Sequence, residues 1–209
     1  MTDRLPIPGP RDVTASLDGG DAANVVVACP PHPQMGGDRR DSRLRAVSDA
    51  LADRNCACLR FDYGPWDEGR GEQTDARSAL AWAQDNFDSV GLFGYSFGGG
   101  VALVTAAALA RAGHDHAPGA ISVLAPAGTL ADDSTADAVD AIDCPLQVLY
   151  GERDDAVDSG TVAERATELG HTIEALAADH FFVGQQASVA DRVASFFDAS
   201  LSVERSSSG

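Results

Sequence analysis

The chain has no lysine: all 15 of its basic residues are arginine, set against 32 acidic ones. The formal charge of −17 repels nucleic acid and anionic membrane surfaces, so neither is an expected partner. It also disfavours highly anionic substrates unless salt screens the field. A lysine-free, strongly acidic composition is salt-adapted, and a halophilic source is expected. With no lysine there is no Walker motif, and the spacing G-x-G-x-x-G is absent, so Gly98-Gly99-Gly100 is not read as a nucleotide loop. Cysteine is scarce. Cys29, Cys56, Cys58 and Cys144 lack zinc-finger spacing and are expected to be reduced, buried thiols. No apolar run reaches the roughly 18 residues of a membrane span. No basic-then-apolar segment opens the chain, so no signal peptide and a cytoplasmic location are expected.

What is present argues for a folded domain. Hydrophobic residues make up 44% of the 209, which excludes a disordered acidic chain. One domain over residues 1–200 is expected, with a disordered tail from 201 to 209. Apolar strands alternate with helical periodicity in the rhythm of a parallel α/β sheet. Segments 13–17 and 24–28 flank Asp18-Gly19-Gly20-Asp21, read as a hairpin turn. Further strands are expected at 56–61, 90–94, 120–124, 146–150 and 172–175. Helix faces are marked by Leu44, Val47 and Leu51, by Ala76, Leu80, Ala83 and Phe87, and by Val189, Val193 and Phe197. Thr161-Val-Ala-Glu164 reads as a capping box. His114 and His116 fall in a polar loop.

Within this frame Gly94-Tyr95-Ser96-Phe97-Gly98 is a G-x-S-x-G pentad between an apolar strand and an Ala-rich helix, 101–112. Strand, pentad and helix together are the context of a nucleophile elbow. Side chains at Gly94 and Gly98 would collide across so sharp a turn. The turn lifts the Ser96 hydroxyl above the sheet and aims the Phe97 N–H at an oxyanion formed there. A serine at neutral pH needs a base, and the base an orienting acid. In this architecture they follow in the order Ser, Asp or Glu, His. A strand ending at Gly151 is followed by the acidic pair Asp154-Asp155, and His180 follows the next strand and precedes two aromatics. Either aspartate can supply the acid. Each of these residues sits on a loop after a strand, where open α/β sheets place their sites. A second oxyanion donor is expected from the turn after strand 24–28. Pro30, Pro31 and Pro33 have no N–H, which leaves His32, Gln34 and Met35.

Cys29–Gly37, Leu59–Gly64, Gly94–Gly99, Leu124–Pro126, Gly151–Asp154 and Asp179–Phe182 carry a resemblance across nearly the whole domain. The chain resembles the α/β-hydrolases, specifically a small cap-less intracellular group similar to dienelactone hydrolases. The resemblance implies an α/β-hydrolase fold: a mostly parallel central sheet with helices on both faces and no separate lid domain. It implies Ser96, Asp154 and His180 as the catalytic residues, with Asp154 favoured over Asp155. By position in the family's turn it favours the backbone of His32, with Phe97, for the oxyanion hole. The family's His-Pro-His-Pro turn is here Pro30-Pro31-His32-Pro33, and its Arg-Gly-x-Gly-x-Ser loop is replaced by Gly64–Gly69. Segment 125–144, where related hydrolases insert a lid, is too short for one. Its aspartates, Asp132, Asp133, Asp137, Asp140 and Asp143, are read as a solvated acidic flap rather than a metal site. The expected activity is hydrolysis of small esters or related acyl compounds through a Ser-His-Asp triad and an acyl-enzyme. No cofactor and no metal are implied. An acyltransferase or carbon–carbon hydrolase with the same triad, and a non-catalytic binding module, remain alternatives. The chain is expected to be a monomer or a homodimer.

Overall fold

The computed structural model describes residues 2–113 and 116–203; His114 and the last six residues of the expected tail lie outside them. The chain runs through β1 (Thr2–Ile7), β2 (Val13–Asp18), β3 (Asn24–Cys29), α1 (Ser42–Ala52), β4 (Cys56–Asp62), α2 (Arg70–Asn86), β5 (Ser89–Tyr95) and α3 (Phe97–Ala112). It continues through β6 (Ala120–Leu124), a short β7–β8 hairpin (Thr129–Leu130, Asp133–Ser134), α4 (Thr135–Val139), β9 (Leu146–Gly151), α5 (Gly160–Glu168), β10 (Thr172–Leu176) and α6 (Gln186–Val203). Helix α6 takes in Leu201, which is buried, so the expected tail boundary falls inside a helix.

Eight strands form one sheet in the order β1-β2-β4-β3-β5-β6-β9-β10. From β4 to β10 all neighbours are parallel; β1 and β2 add an antiparallel margin. Strands β3 and β5 are buried along their whole length, as parallel strands covered on both faces must be. Alternate residues feed two cores. Val26, Ala28, Phe93 and Tyr95 meet α1 and α6, through Leu44, Val47, Val193 and Phe197. Val25, Val27, Val90 and Leu92 meet α2 to α5, through Leu80, Val101, Val139 and Val162. Cys56 and Cys58 share a face, and burial pushes both thiols up to about 12.

Two local expectations are corrected. Strands β2 and β3 do not form a hairpin, because β4 lies between them: Leu17 and Val27 both pair with Leu59, antiparallel and parallel respectively. A strand apolar on both faces gains most from neighbours on both sides, which draws β3 to the middle and leaves β2 to the margin. The capping box at Thr161 does not form either. The helix begins at Gly160, Ser159 takes the cap position, and its hydroxyl donates to the Pro126 carbonyl.

Segment 125–144 does not arch over the sheet. Leu130, Thr135 and Val139 are buried, and the Thr135 hydroxyl donates to the Ala127 carbonyl at 2.7 Å. The segment's aspartates point outward; Asp132 pairs with Arg70 and Asp140 with Arg165. The expected flap is therefore a docked hairpin and helix with an acidic outer side, and there is no separate lid domain.

Candidate active site

Ser96 sits between β5 and α3 at φ 57°, ψ −121°, a conformation costly for any residue with a Cβ. Four backbone bonds hold it there: its N–H donates to the Leu124 carbonyl at 2.9 Å, and its carbonyl accepts from Gly99, Gly100 and Ala127. The glycines of the pentad are needed for close approach. A Cβ at Gly94 would lie 2.2 Å from the Gly98 carbonyl oxygen, and one at Gly98 would lie 2.3 Å from that of Cys29. The second contact presses the elbow against the turn after β3.

Parallel pairing of β9 with β10, in register through Leu176 and Gly151, brings the two downstream loops side by side. The Ser96 hydroxyl is 2.9 Å from His180 Nε2, and His180 Nδ1 is 2.7 Å from Asp154 Oδ2. The other Asp154 oxygen accepts the N–H groups of Ala156 at 2.9 Å and Val157 at 3.3 Å. The Asp154 side chain is 2% exposed, whereas Asp155 is exposed and forms no hydrogen bond or ion pair with the histidine. An ionised carboxylate can only accept, so the proton on His180 is fixed at Nδ1 and the Nε2 lone pair faces Ser96.

The His180 loop is held from several sides. Asp179 accepts from the N–H groups of Phe181 and Phe182, and Phe182, at φ 51°, is fully buried. The Tyr95 hydroxyl donates to the His180 carbonyl at 2.9 Å, and the two rings stack with centroids 5.4 Å apart. Burial pushes the Tyr95 phenol up to about 12, with Arg43 opposing, so it remains a donor. The Arg43 guanidinium also lies over the Tyr95 ring, 4.5 Å from its centroid. Arg43 Nε donates to Asp41 Oδ1 at 2.9 Å, and its Nη2 pairs with Asp41 Oδ2.

The turn after β3 runs along the other side of Ser96. The Gln34 N–H donates to His32 Nδ1 at 3.3 Å, and the Met35 N–H to the His32 carbonyl at 3.0 Å. Among the described residues the His32 and Phe97 N–H groups have no acceptor. The His32 ring packs against Trp66 and Phe97, with centroids 4.6 and 4.9 Å away. Burial lowers its pKa, with Glu72 opposing. Trp66 belongs to loop 64–69, which Glu72 ties down by accepting the N–H groups of Asp67 and Gly69. Ser96, His180, Arg43, His32, Met35 and Phe181 line a cleft of about 290 Å³ between these walls.

Sequence reasoning singled out Ser96, Asp154 and His180, which the structure brings into one hydrogen-bonded chain, and the N–H groups of Phe97 and His32, whose rings pack together beside Ser96. It missed the second role of Tyr95 and the Asp41–Arg43 pair. One signal was available: Arg43 lies in the first turn of α1, where the helix dipole disfavours a cation. No group of three or more His, Cys, Asp or Glu among the described residues could hold a metal ion, and no helix is long and apolar enough to cross a membrane.

The fold is that of known α/β serine hydrolases. One without a lid, from Xanthomonas campestris, superposes with a TM-score of 0.75 at 24% identity, over 95% of this chain and 94% of that one. An α/β serine hydrolase homologue from Coxiella burnetii gives 0.76 at 21% identity, over 93% and 97%. The Pyrococcus furiosus esterase Pf2001 gives 0.79 at 16% identity, over 96% and 92%. No curated protein matches the sequence significantly. The model of the dienelactone hydrolase family matches residues 64–199, a stretch that holds the elbow, the Asp154 loop and His180, and by that match the chain belongs to this family of hydrolases.

Proposed function

We propose that the protein is a serine esterase that cleaves small esters through an acyl-enzyme. The observation that carries this reading is the continuous hydrogen-bond chain from the Ser96 hydroxyl through His180 to the buried Asp154, at 2.9 and 2.7 Å. Ser96 Oγ attacks the ester carbonyl carbon while His180 Nε2 takes its proton. The carbonyl oxygen becomes an oxyanion, which the N–H groups of Phe97 and His32 bind. Their lack of any other acceptor supports this role. Collapse of the tetrahedral adduct breaks the bond to the alkoxy group, which leaves with the proton from His180. Water then attacks the acyl-enzyme, with His180 again as base and then as acid. Asp154 keeps the imidazole in the productive tautomer and balances its charge in both halves. An open cleft with no lid fits small substrates and free access of water. The lysine-free acidic composition supports a salt-rich cytoplasm as the working medium.

The test is a panel of short-chain nitrophenyl esters in molar KCl, comparing the wild type with Ser96→Ala. Turnover should vanish in the variant, and a fluorophosphonate should label Ser96 alone in the wild type. Equal rates in the two proteins would remove the reading.

A further inference from the structure

Among the described residues Arg43 is the one arginine lining the cleft, and its cationic group is already engaged. Two of its nitrogens face the two oxygens of Asp41 in a fork, its Cζ lies over the Tyr95 ring, and Nη1 reaches the Phe181 carbonyl at 3.5 Å. Both side chains are largely withdrawn from solvent, at 16% and 9% exposure. Asp41 is also the N-cap of α1, accepting the Arg43 N–H at 2.9 Å, so the carboxylate cannot swing away without uncapping the helix. The pair therefore presents a neutral wall. The other charged groups around the cleft are carboxylates: Asp154 and Asp179, which act on the Tyr95 ring, and Glu72, which acts on His32. The mouth is apolar: Met35 and Phe181, which line it, are 85% and 56% exposed and belong to the few large hydrophobic side chains that reach solvent.

We propose that the Asp41–Arg43 ion pair is a specificity device of this cleft: by neutralising the guanidinium beside Ser96 it makes the site take uncharged, apolar acyl groups and reject those that bear a carboxylate. This rests on the esterase reading. A free arginine at that place would have attracted a substrate anion and oriented it by a bidentate contact. With Asp41 in place, the anion would compete with a carboxylate already seated, and would also face the charge of Asp154.

The test uses two esters of matched shape, 4-nitrophenyl 5-methylhexanoate and mono-4-nitrophenyl glutarate, whose acyl groups differ in a terminal isopropyl or carboxylate. Rates are taken in 3 M KCl, where the screening length is about 2 Å and the long-range field of the acidic surface is suppressed. Ser96→Ala serves as the blank. The wild type should favour the uncharged ester by at least about tenfold in kcat/KM. Asp41→Asn keeps a helix cap but frees the guanidinium, and should raise the glutarate-to-methylhexanoate ratio by about tenfold or more. Arg43→Gln leaves Asp41 unpaired and should lower that ratio below the wild-type value. If Asp41→Asn does not fold, Asp41→Ser, also a good cap, is read in its place. A wild-type preference for the glutarate, or a ratio that stays within twofold when Asp41 is neutralised, overturns the proposal while leaving the esterase reading standing. If the wild type cleaves neither ester faster than the Ser96→Ala blank, the esterase reading fails and the proposal falls with it.

Discussion

The sharpest test of the site separates two adjacent carboxylates. Asp154→Asn keeps the shape of the side chain, and its amide oxygen can still accept the N–H groups of Ala156 and Val157 that Asp154 Oδ1 accepts at 2.9 and 3.3 Å. That orientation turns the amide NH₂ toward His180 Nδ1. Two donors cannot share the 2.7 Å contact, so Nδ1 must give up its proton and Nε2 must carry one. Nε2 then donates toward Ser96 Oγ and can no longer take its proton. In a Ser-His-Asp triad this tautomer error costs roughly 10⁴ in kcat, or about 5 kcal/mol of transition-state stabilisation. Asp155 is exposed and forms no hydrogen bond or ion pair with His180, so Asp155→Asn should stay within about twofold of wild type. The assay is initial-rate hydrolysis of a short-chain nitrophenyl ester in molar KCl, with folding checked by thermal melts. Asp154→Asn within tenfold of wild type, or Asp155→Asn falling as far as Asp154→Asn, would refute the reasoning.

Three further outcomes are expected. Tyr95→Phe deletes the bond to the His180 carbonyl and should lower stability by about 1 kcal/mol and kcat severalfold; an unchanged kcat would show that the bond does not position the base. Thermal stability should climb between 0.1 and 3 M KCl, because screening relieves the self-repulsion of a −17 chain; a flat melting temperature would remove the salt-adapted reading. Asp18 contributes an acid-sensitive part of the fold. Burial raises its pKa, but the hydrogen bond from Ser48 and the pairing with Arg60 outweigh it, and the net shift is below the ordinary 3.8. A depressed carboxylate stabilises the fold above its unfolded value and loses that contribution as pH falls through its folded one. The melting-temperature gap between wild type and Asp18→Asn should therefore be constant above about pH 4 and close below it; a gap unchanged down to pH 2.5 would contradict this.

Much of this architecture is written locally in the chain. The pentad, the strand before it and the helix after it lie within a span short enough for periodicity to report burial. The helix faces at Leu44, Leu80 and Val193 are local in the same way. Partners are a different matter. The all-apolar run of β3 says that both its faces are covered, but not that β4 comes between it and β2. Strand β1 carries Pro6 and no clean alternation, which suits an edge and hides it from a pattern search. Ser159 caps α5 through no side-chain bond and spends its hydroxyl on Pro126, 33 residues away, so no capping motif could announce it. The contacts of Arg43 with Tyr95 and Phe181 cross 52 and 138 positions, respectively, and only the folded sheet brings them together.

These long-range contacts share one origin. In a parallel sheet every strand delivers its following loop to the same rim, so residues distant in sequence become neighbours there with no dedicated contact between them. What the rim does not supply is precision, and here that comes from backbone. The missing Cβ at Gly98 lets the elbow rest on the Cys29 and Pro30 carbonyls, so the turn that carries the His32 N–H is set by the same contact that sets the Phe97 N–H. The two N–H groups are thus fixed relative to each other, which on the proposed esterase reading is the condition for stabilising an oxyanion without reorganisation. His180 is treated likewise: Tyr95, adjacent to Ser96, binds its carbonyl, so on the same reading the base is referenced to the residue it must deprotonate. On the proposed reading, specificity falls to side chains around the cleft that lie outside that frame. Loop 64–69 and the Asp41–Arg43 pair at the start of α1 lie outside it, and a change of substrate among similar hydrolases is expected to be found at such positions rather than at the elbow.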